Sequence, residues 1–360
     1  MIHHHTYIIA EAGVNHNGSL EMAKQLVNVA KQAGADAVKF QTFKAENLVT
    51  RSAQQANYQV ENLGEVTSQF KMLKKLELSY DEFVKLKYYC DANEIEFLST
   101  PFDIESVDFL LNDIGMSKFK IPSGELTNSP FIHYIATKKK PIILSTGMAT
   151  MKDIHEALSF IAYGLAFPDQ EVNLNQVQRF YQKEEARLLL REFVTVLHCT
   201  TEYPAPFETI NLCAMNEMKK ELQLPIGFSD HSEGIAVPIA AIALGAVVIE
   251  KHFTLDRNLP GPDHRASLEP KELEEMVTGI KAIEESMGTG NKKPTPKELD
   301  NRKVARKSIV AKVKIAAGEI FAERHIAIKR PGHGMPPRSY WSLIGKVANQ
   351  SYEVDELIDE

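Results

Sequence analysis

Cysteine is scarce. Cys90, Cys199 and Cys213 are the three in 360 residues, and they are odd in number, far apart and never in a CxxC pair. That excludes a disulfide framework and suits a reducing, cytoplasmic setting. Long hydrophobic runs are missing too: none approaches the ~18 residues of a membrane span, and the N-terminus lacks the charged-then-apolar order of a signal peptide. No membrane association is therefore expected. Basic charge is not in excess, since 41 Lys and Arg face 48 Asp and Glu for a net −7. This argues against a nucleic-acid partner bound through its phosphate backbone, but leaves room for a local basic pocket holding a small anion. The His3-His4-His5 run is given no metal role.

What is present is alternation. Short apolar runs rich in β-branched residues are followed by amphipathic stretches from residue 7 to about 288. Tyr7–Ala10, Ala37–Phe40, Ile95–Leu98, Phe119–Ile121, Ile142–Leu144, Phe193–Leu197, Ile226–Phe228 and Ala246–Ile249 read as strands. Helical spacing follows the first at Leu20, Ala23, Val27, Ala30 and Ala33, with Gly34 as its stop. It recurs over Asp81–Ala92, Pro130–Thr137, Gly234–Leu244 and Pro270–Met287. Eight βα units in roughly 280 residues predict a closed parallel (β/α)8 barrel over residues 1–288. The mixed-charge segment 160–192 is expected to be a helical insertion on the fifth unit. Gly288 to Pro296 is rich in Gly, Lys and Pro and opens a linker, taken as 289–303. Beyond it, residues 304–360 read as a small β-rich module, with strands at Ser308–Lys312 and Ile326–Lys329 and a turn at Ala317-Gly318-Glu319.

In such a barrel the chemistry sits at the carboxyl ends of the strands. In order, these ends carry Glu11, then Lys39 and Gln41, then Ser99-Thr100, then Lys120, Ser123, Gly124 and Glu125. Ser145-Thr146-Gly147, His198-Cys199-Thr200, Ser229-Asp230-His231 and Glu250-Lys251-His252 follow. A single charged residue ending a strand is ordinarily a solvated edge; eight polar ends in succession are not. Lys39 and Lys120 with the hydroxyls of Thr100, Ser123 and Ser145 would make an anion site. His231 and His252, on neighbouring strands, could reach one divalent ion and leave positions open for water or substrate. Glu11, Glu125 and Asp263 are candidates for acid–base work, for holding sugar hydroxyls, or for pairing with the lysines. His198 is as compatible with a structural hydrogen bond as with catalysis. Tyr203-Pro204-Ala205-Pro206 reads as a rigid loop over the barrel mouth.

These residues lie in a set of motifs: IAEAGVNHNG (9–18), VKFQTF (38–43), KIPSGE (120–125), ILSTGM (143–148), HCTTEYPAP (198–206), GFSDHSEG (227–234), EKHFTLDRNLPGPDH (250–264) and KRPGHG (329–334). The set, spanning nearly the whole chain, resembles the sialic acid synthases. The resemblance implies a TIM barrel followed by an antifreeze-like (SAF, β-clip) domain, in a swapped homodimer where the small domain of one protomer caps the barrel of the other. It implies that Lys39, Gln41, Thr100, Lys120, Ser123, Ser145 and Ser229 hold phosphoenolpyruvate and that His231 and His252 bind Mn2+ or Mg2+. Glu11 and Glu125 would be the catalytic carboxylates, with Glu125, Tyr203 and Asp263 lining the sugar site. Arg330 would reach across the dimer to the sugar's acylamino group. The reaction implied is condensation of phosphoenolpyruvate with an N-acylated amino sugar and water, with C–O cleavage, to give a nine-carbon keto acid and phosphate.

N-acetylmannosamine or a diacetamido-trideoxy hexose would serve as acceptor. The motifs lean to the legionaminate branch, with pseudaminate synthesis as the alternative, and no spare basic cluster offers itself to a phosphorylated sugar. The reading from another class is a carbohydrate-binding protein without catalysis. The combination of Glu11, Lys39, Lys120, His231 and His252 argues against it, because binding alone has no use for the histidine pair.

Overall fold

The computed structural model describes residues 5–64 and 66–359, so His3 and His4 of the histidine run lie outside it. The chain divides into two compact units, Met1–Gly288 and Thr289–Glu360.

In the first unit the strands are β1 (Tyr7–Gly13), β2 (Ala37–Thr42), β3 (Glu96–Pro101), β4 (Phe119–Ile121), β5 (Ile142–Ser145), β6 (Val194–Cys199), β7 (Ile226–Asp230) and β8 (Val248–His252). They are hydrogen-bonded in the order β3-β2-β1-β8-β7-β6-β5-β4, with parallel pairings. β3 and β4 lie side by side and complete the ring. This is the (β/α)8 barrel that the alternation predicts. Every expected strand is present, and most run two or three residues past the apolar stretch. Ladder hydrogen bonds are made by the backbone and do not require apolar side chains. Many of the polar residues read as strand ends, among them Glu11, Lys39, Gln41, Thr100, Lys120, Ser145, Ser229, Glu250 and His252, are therefore rungs of the strands themselves, while Ser123, Glu125 and His231 follow just after.

Helices form where the spacing places them. The helix Leu20–Ala33 opens on Ser19, whose side chain accepts the Met22 N–H, and buries Ala23, Leu26, Val27, Ala30 and Ala33. It stops at Gly34, whose φ of 80° lets its N–H close onto the carbonyls of Ala30 and Lys31. The inserted segment is helical as expected: Leu174–Tyr181 and Glu184–Phe193 pack on Met151–Ala166 through Val177, Phe180, Ala186 and Leu190.

After β2 the chain makes an excursion that periodicity does not reveal. Its three short helices are Ala45–Leu48, Asn57–Leu63 and Gln69–Leu76. They close a separate apolar cluster of Val14, Phe43, Met72 and Leu76, with Leu48, Leu63, Leu73 and Phe102 against it. Elements this short carry too few turns for a helical stripe to be read.

The second unit contains an antiparallel pair, β9 (Ser308–Ala311) with β10 (Ile326–Lys329), around Ile309, Ala311, Ile315, Phe321, Ile326, Leu343, Ala348, Tyr352 and Ile358. Much of the stretch read as linker, 289–303, is helical: Pro296–Ala305 is an α-helix with Thr295 and Glu298 forming a capping box. The Thr-Pro-Lys-Glu order supplies both the cap and a proline at a position that tolerates it, which outweighs the loop-like composition. Among the described residues no helix is long and apolar enough to cross a membrane.

His16 shows how the barrel depends on pH. Its ring is buried against Phe40, Nδ1 accepts the Gly18 N–H, and Nε2 has no partner. Burial pulls its pKa from 6.5 down to about 4. Between those values the unfolded chain binds a proton that the folded chain refuses. Stability is therefore full above pH 6.5 and falls as pH drops toward 4, by up to about 3 kcal/mol for this one group. Urea unfolding of wild type and His16→Gln at pH 7 and 4.5 should show a shallower pH slope in the variant; equal slopes would assign the acid sensitivity elsewhere.

Candidate active site

Strand register decides which side chains meet. Glu11 pairs in register with Lys39 on one side and His252 on the other, Gln41 with Thr100, and Cys199 with Ser229, which in turn pairs with Glu250. Because side chains alternate along a strand, these residues share the inner face while their neighbours point out to the helices. They line one cavity of about 320 Å3. Within it lie Glu11, Lys39, Gln41, Thr100, Lys120, Ser123, Ser145, Tyr203, Ser229, His231, His252 and Asp263, so twelve of the fourteen sequence-predicted site residues are brought together.

The two exceptions are Glu125 and Arg330. Glu125 closes the 3-10 turn Ser123–Glu125 and accepts a hydrogen bond from Asn128 Nδ2 at 2.7 Å, beside the cavity and not in its lining. Arg330 belongs to the second unit, where its Nε donates to the Ala305 carbonyl at 3.0 Å. His198 resolves to a structural role, with Nε2 2.7 Å from the Ile210 carbonyl.

The floor of the cavity is an ionic network. Lys39 Nζ lies 2.6 Å from Glu11 and 3.6 Å from Glu250, and it donates to Thr100 Oγ1 at 3.0 Å. Lys120 Nζ lies 3.2 Å from Glu250, which also accepts from Ser229 Oγ at 3.0 Å. Glu250 is the functional residue the sequence reading overlooked. Its signal was its place two residues before His252, on the same face of β8. Burial raises the Glu11 carboxyl above the usual carboxylate range in spite of Lys39. Burial also works to raise Glu250, but Lys120 and Lys39 hold it below that range. Each lysine thus has a carboxylate partner, Glu11 for Lys39 as the sequence reading allowed, and Glu250 for Lys120.

Above the floor stand the imidazoles. The His231 and His252 ring centroids are 5.4 Å apart. Tyr203 lies tilted against His231 with ring centroids 4.1 Å apart, and Tyr58, from the excursion after β2, stacks on Tyr203 at 5.1 Å. His231 Nδ1 is 2.6 Å from the Thr200 carbonyl, so it carries the proton and leaves the Nε2 lone pair free. Nδ1 of His252 is buried without a partner, and burial holds that ring well below the ordinary histidine pKa, as a neutral donor. Among the described residues no third His, Cys, Asp or Glu completes a metal cage. Burial works to lower the His231 pKa, but Cys199 and the Thr200 carbonyl hold it above the ordinary histidine value; with its Nε2 unprotonated, His231 together with His252 would fit an ion that takes its other ligands from water and substrate. Ser145 Oγ is likewise buried without a partner, another polar atom awaiting one. Gly147 keeps this rim tight: its N–H donates to Ser123 Oγ at 2.9 Å, and a Cβ there would fall 2.1 Å from Thr201 Oγ1.

Facing outward on the same two strands, Asp230 and Lys251 form an ion pair at 2.6 Å with neither side chain exposed. Asp230 also accepts from the N–H and Oγ of Ser232, and Lys251 donates to the Ser232 carbonyl. Each immediately precedes one of the histidines.

Buried lysines, carboxylates and paired imidazoles gather in one cavity at the strand ends of a (β/α)8 barrel, where barrel enzymes keep their chemistry. The comparisons make the class particular. The NeuB family model matches residues 26–292 and the SAF domain model residues 306–359. The chain belongs to the NeuB family, and the sialic acid synthase resemblance is confirmed. It is 48% identical over 355 residues to an N,N'-diacetyllegionaminic acid synthase of Campylobacter jejuni, covering 99% of each chain. A protein of the same name in Legionella pneumophila is 43% identical, over 94% of this chain and 89% of its own. Among solved structures, N-acetylneuraminic acid synthetase of Leptospira borgpetersenii is 32% identical with a TM-score of 0.66, over 83% of this chain and 90% of its own.

Removing the carboxylate of Asp230 strands the Lys251 charge in the protein interior. Asp230→Ala should cost about 3–5 kcal/mol in chemical denaturation; a loss under about 1 kcal/mol would show that water reaches Lys251.

Proposed function

We propose that the chain is a phosphoenolpyruvate-dependent transferase of the legionaminate type. It condenses phosphoenolpyruvate with 2,4-diacetamido-2,4,6-trideoxymannose, or less specifically N-acetylmannosamine, and water, to give the nine-carbon keto acid and phosphate. The observation that carries this is the convergence of two buried lysines, a ring of hydroxyls and two open imidazoles in one cavity.

In this reading Lys39 and Lys120, with Gln41, Thr100, Ser123, Ser145 and Ser229, bind the phosphate and carboxylate of phosphoenolpyruvate and fix its plane. The substrate's charges take over the lysine contacts that Glu11 and Glu250 make in the free protein. C3 attacks the aldehyde carbon of the open-chain sugar, and the aldehyde oxygen takes a proton. Water adds at the cationic C2, its proton passing to Glu11 on the cavity floor. The resulting tetrahedral centre expels phosphate by C–O cleavage and becomes the ketone. The lysines stabilise charge throughout, in a site where water is scarce. His231 and His252 would hold a divalent ion, Mn2+ or Mg2+, which supplies Lewis-acid polarisation of a carbonyl when bound. Tyr203 and Asp263 hold the sugar, and Glu125 assists from beside the cavity. Arg330 reaches the acylamino group in the neighbouring protomer of a swapped homodimer. Three free cysteines, two of them buried, suit work in the cytoplasm.

Phosphate release from phosphoenolpyruvate with manganese should require an acylated amino sugar, favour the diacetamido sugar over N-acetylmannosamine, and vanish with EDTA. Release that persists in EDTA would remove the metal from the scheme, and no release with either sugar would refute the reaction. Deleting residues 300–360 should abolish turnover while leaving a folded barrel by circular dichroism; retained turnover would end the capping role of the second unit.

A further inference from the structure

Asp263 is buried in the lining of the cavity, and among the described residues no hydrogen bond or ion pair reaches its carboxylate. A carboxylate left free for a ligand is not fixed by contacts of its own. Its position must come from the main chain on either side of it. Asp263 ends the segment that follows β8, just before the 3-10 turn His264–Ala266. Segments of this kind ordinarily move more than the strands they follow.

Here the segment is held at three consecutive residues. The Pro262 carbonyl accepts a hydrogen bond from Asn62 Nδ2 at 2.6 Å. The Asp263 carbonyl accepts one from Ser267 Oγ at 2.7 Å, and that hydroxyl in turn accepts from Asn15 Nδ2 at 2.9 Å. The His264 ring lies between Thr254 Oγ1 at 2.7 Å and Asn17 Oδ1 at 3.2 Å. Asn17 Nδ2 donates to the Pro260 carbonyl at 2.9 Å, which turns its Oδ1 toward that ring. The fit is also close. A Cβ on Gly261 would stand 2.5 Å from His264 Cδ2 and 3.0 Å from Asn17 Oδ1. Asn15 and Asn17 come from the turn after β1, and Asn62 from the helix Asn57–Leu63 of the excursion after β2.

We infer, resting on the sugar-holding role proposed above for Asp263, that Asn62, Asn17 and His264 are positioning residues, which grip the main chain around Asp263 and aim its free carboxylate at the acceptor's hydroxyl groups. Gripping the main chain leaves both carboxylate oxygens available to the sugar. It also sets their direction before the sugar arrives, so little ordering remains to be done on binding. The residues proposed for phosphoenolpyruvate stand mainly on the paired strands of the barrel and do not depend on this clamp. The excursion thereby supports the sugar side of the site through a contact with main chain.

Phosphate release with phosphoenolpyruvate, the diacetamido sugar and manganese tests this in Asn62→Ala and Gly261→Ala. The first removes a hydrogen bond and the second forces the segment aside. Asn62 is half-buried near the end of a short helix, so alanine there leaves the barrel core intact. Each variant should lower kcat/KM for the sugar by about 10–100-fold, since misplacing a binding group by about 1 Å can cost 100-fold. KM for phosphoenolpyruvate should stay unchanged. Added to Asp263→Asn, Asn62→Ala should cost nothing more, because its effect passes through that carboxylate. Should Asp263→Asn fall below detection, the two KM values of the single variants decide. Unchanged kinetics, losses that multiply in the double variant, or KM rising equally for both substrates overturns the inference and leaves the condensation standing. Absence of phosphate release by the wild type with either proposed sugar overturns both.

Discussion

Four charged side chains sit where water is excluded. Lys39, Lys120, Glu11 and Glu250 lie on the barrel floor, each 7% exposed or less. Charges in such a place persist only when paired and hydrogen-bonded, because each loses its hydration. The network balances two ammonium groups against two carboxylates, and Thr100 and Ser229 add hydrogen bonds to it. Each lysine of the network already has a carboxylate partner. Glu11 and Glu250 answer differently because their neighbours differ. At Glu11 burial and the Glu250 charge outweigh Lys39 and the weaker pull of Lys120, whereas at Glu250 Lys120 and Lys39 outweigh burial and hold it ionised.

The same strands serve two purposes through alternation. At the ends of β7 and β8, Ser229, Glu250, His252 and the following His231 line the cavity, while Asp230 and Lys251 between them lock to each other. The outer pair fixes the strand ends that present the two imidazoles. Thr200 adds a second constraint by holding the proton on His231 Nδ1. The site is preorganised from behind, on strands rather than on loops.

The excursion after β2 adds what the barrel floor lacks. Its small apolar cluster anchors it, and Tyr58 extends the aromatic contact of Tyr203 and His231.

The alternation of apolar runs and helical spacing by itself determined the barrel, since eight repeated βα units have few other ways to bury their strands. Motif order determined the family and nearly all of the inner-face residues. Glu250, the committed state of the lysines and the inward exposure of Met72 and Leu73 were decided only by tertiary structure. Strand register pairs β1 with both β2 and β8, bringing residues some 240 positions apart into contact. Glu125 lies in a 3-10 turn directly after β4, where its carboxylate accepts a hydrogen bond from Asn128. The helix Pro296–Ala305 was written in a capping box that a Gly, Lys and Pro composition concealed. Sequence periodicity reports which face of an element is buried. It does not report which buried charges become neighbours, because that depends on how the ring of strands closes.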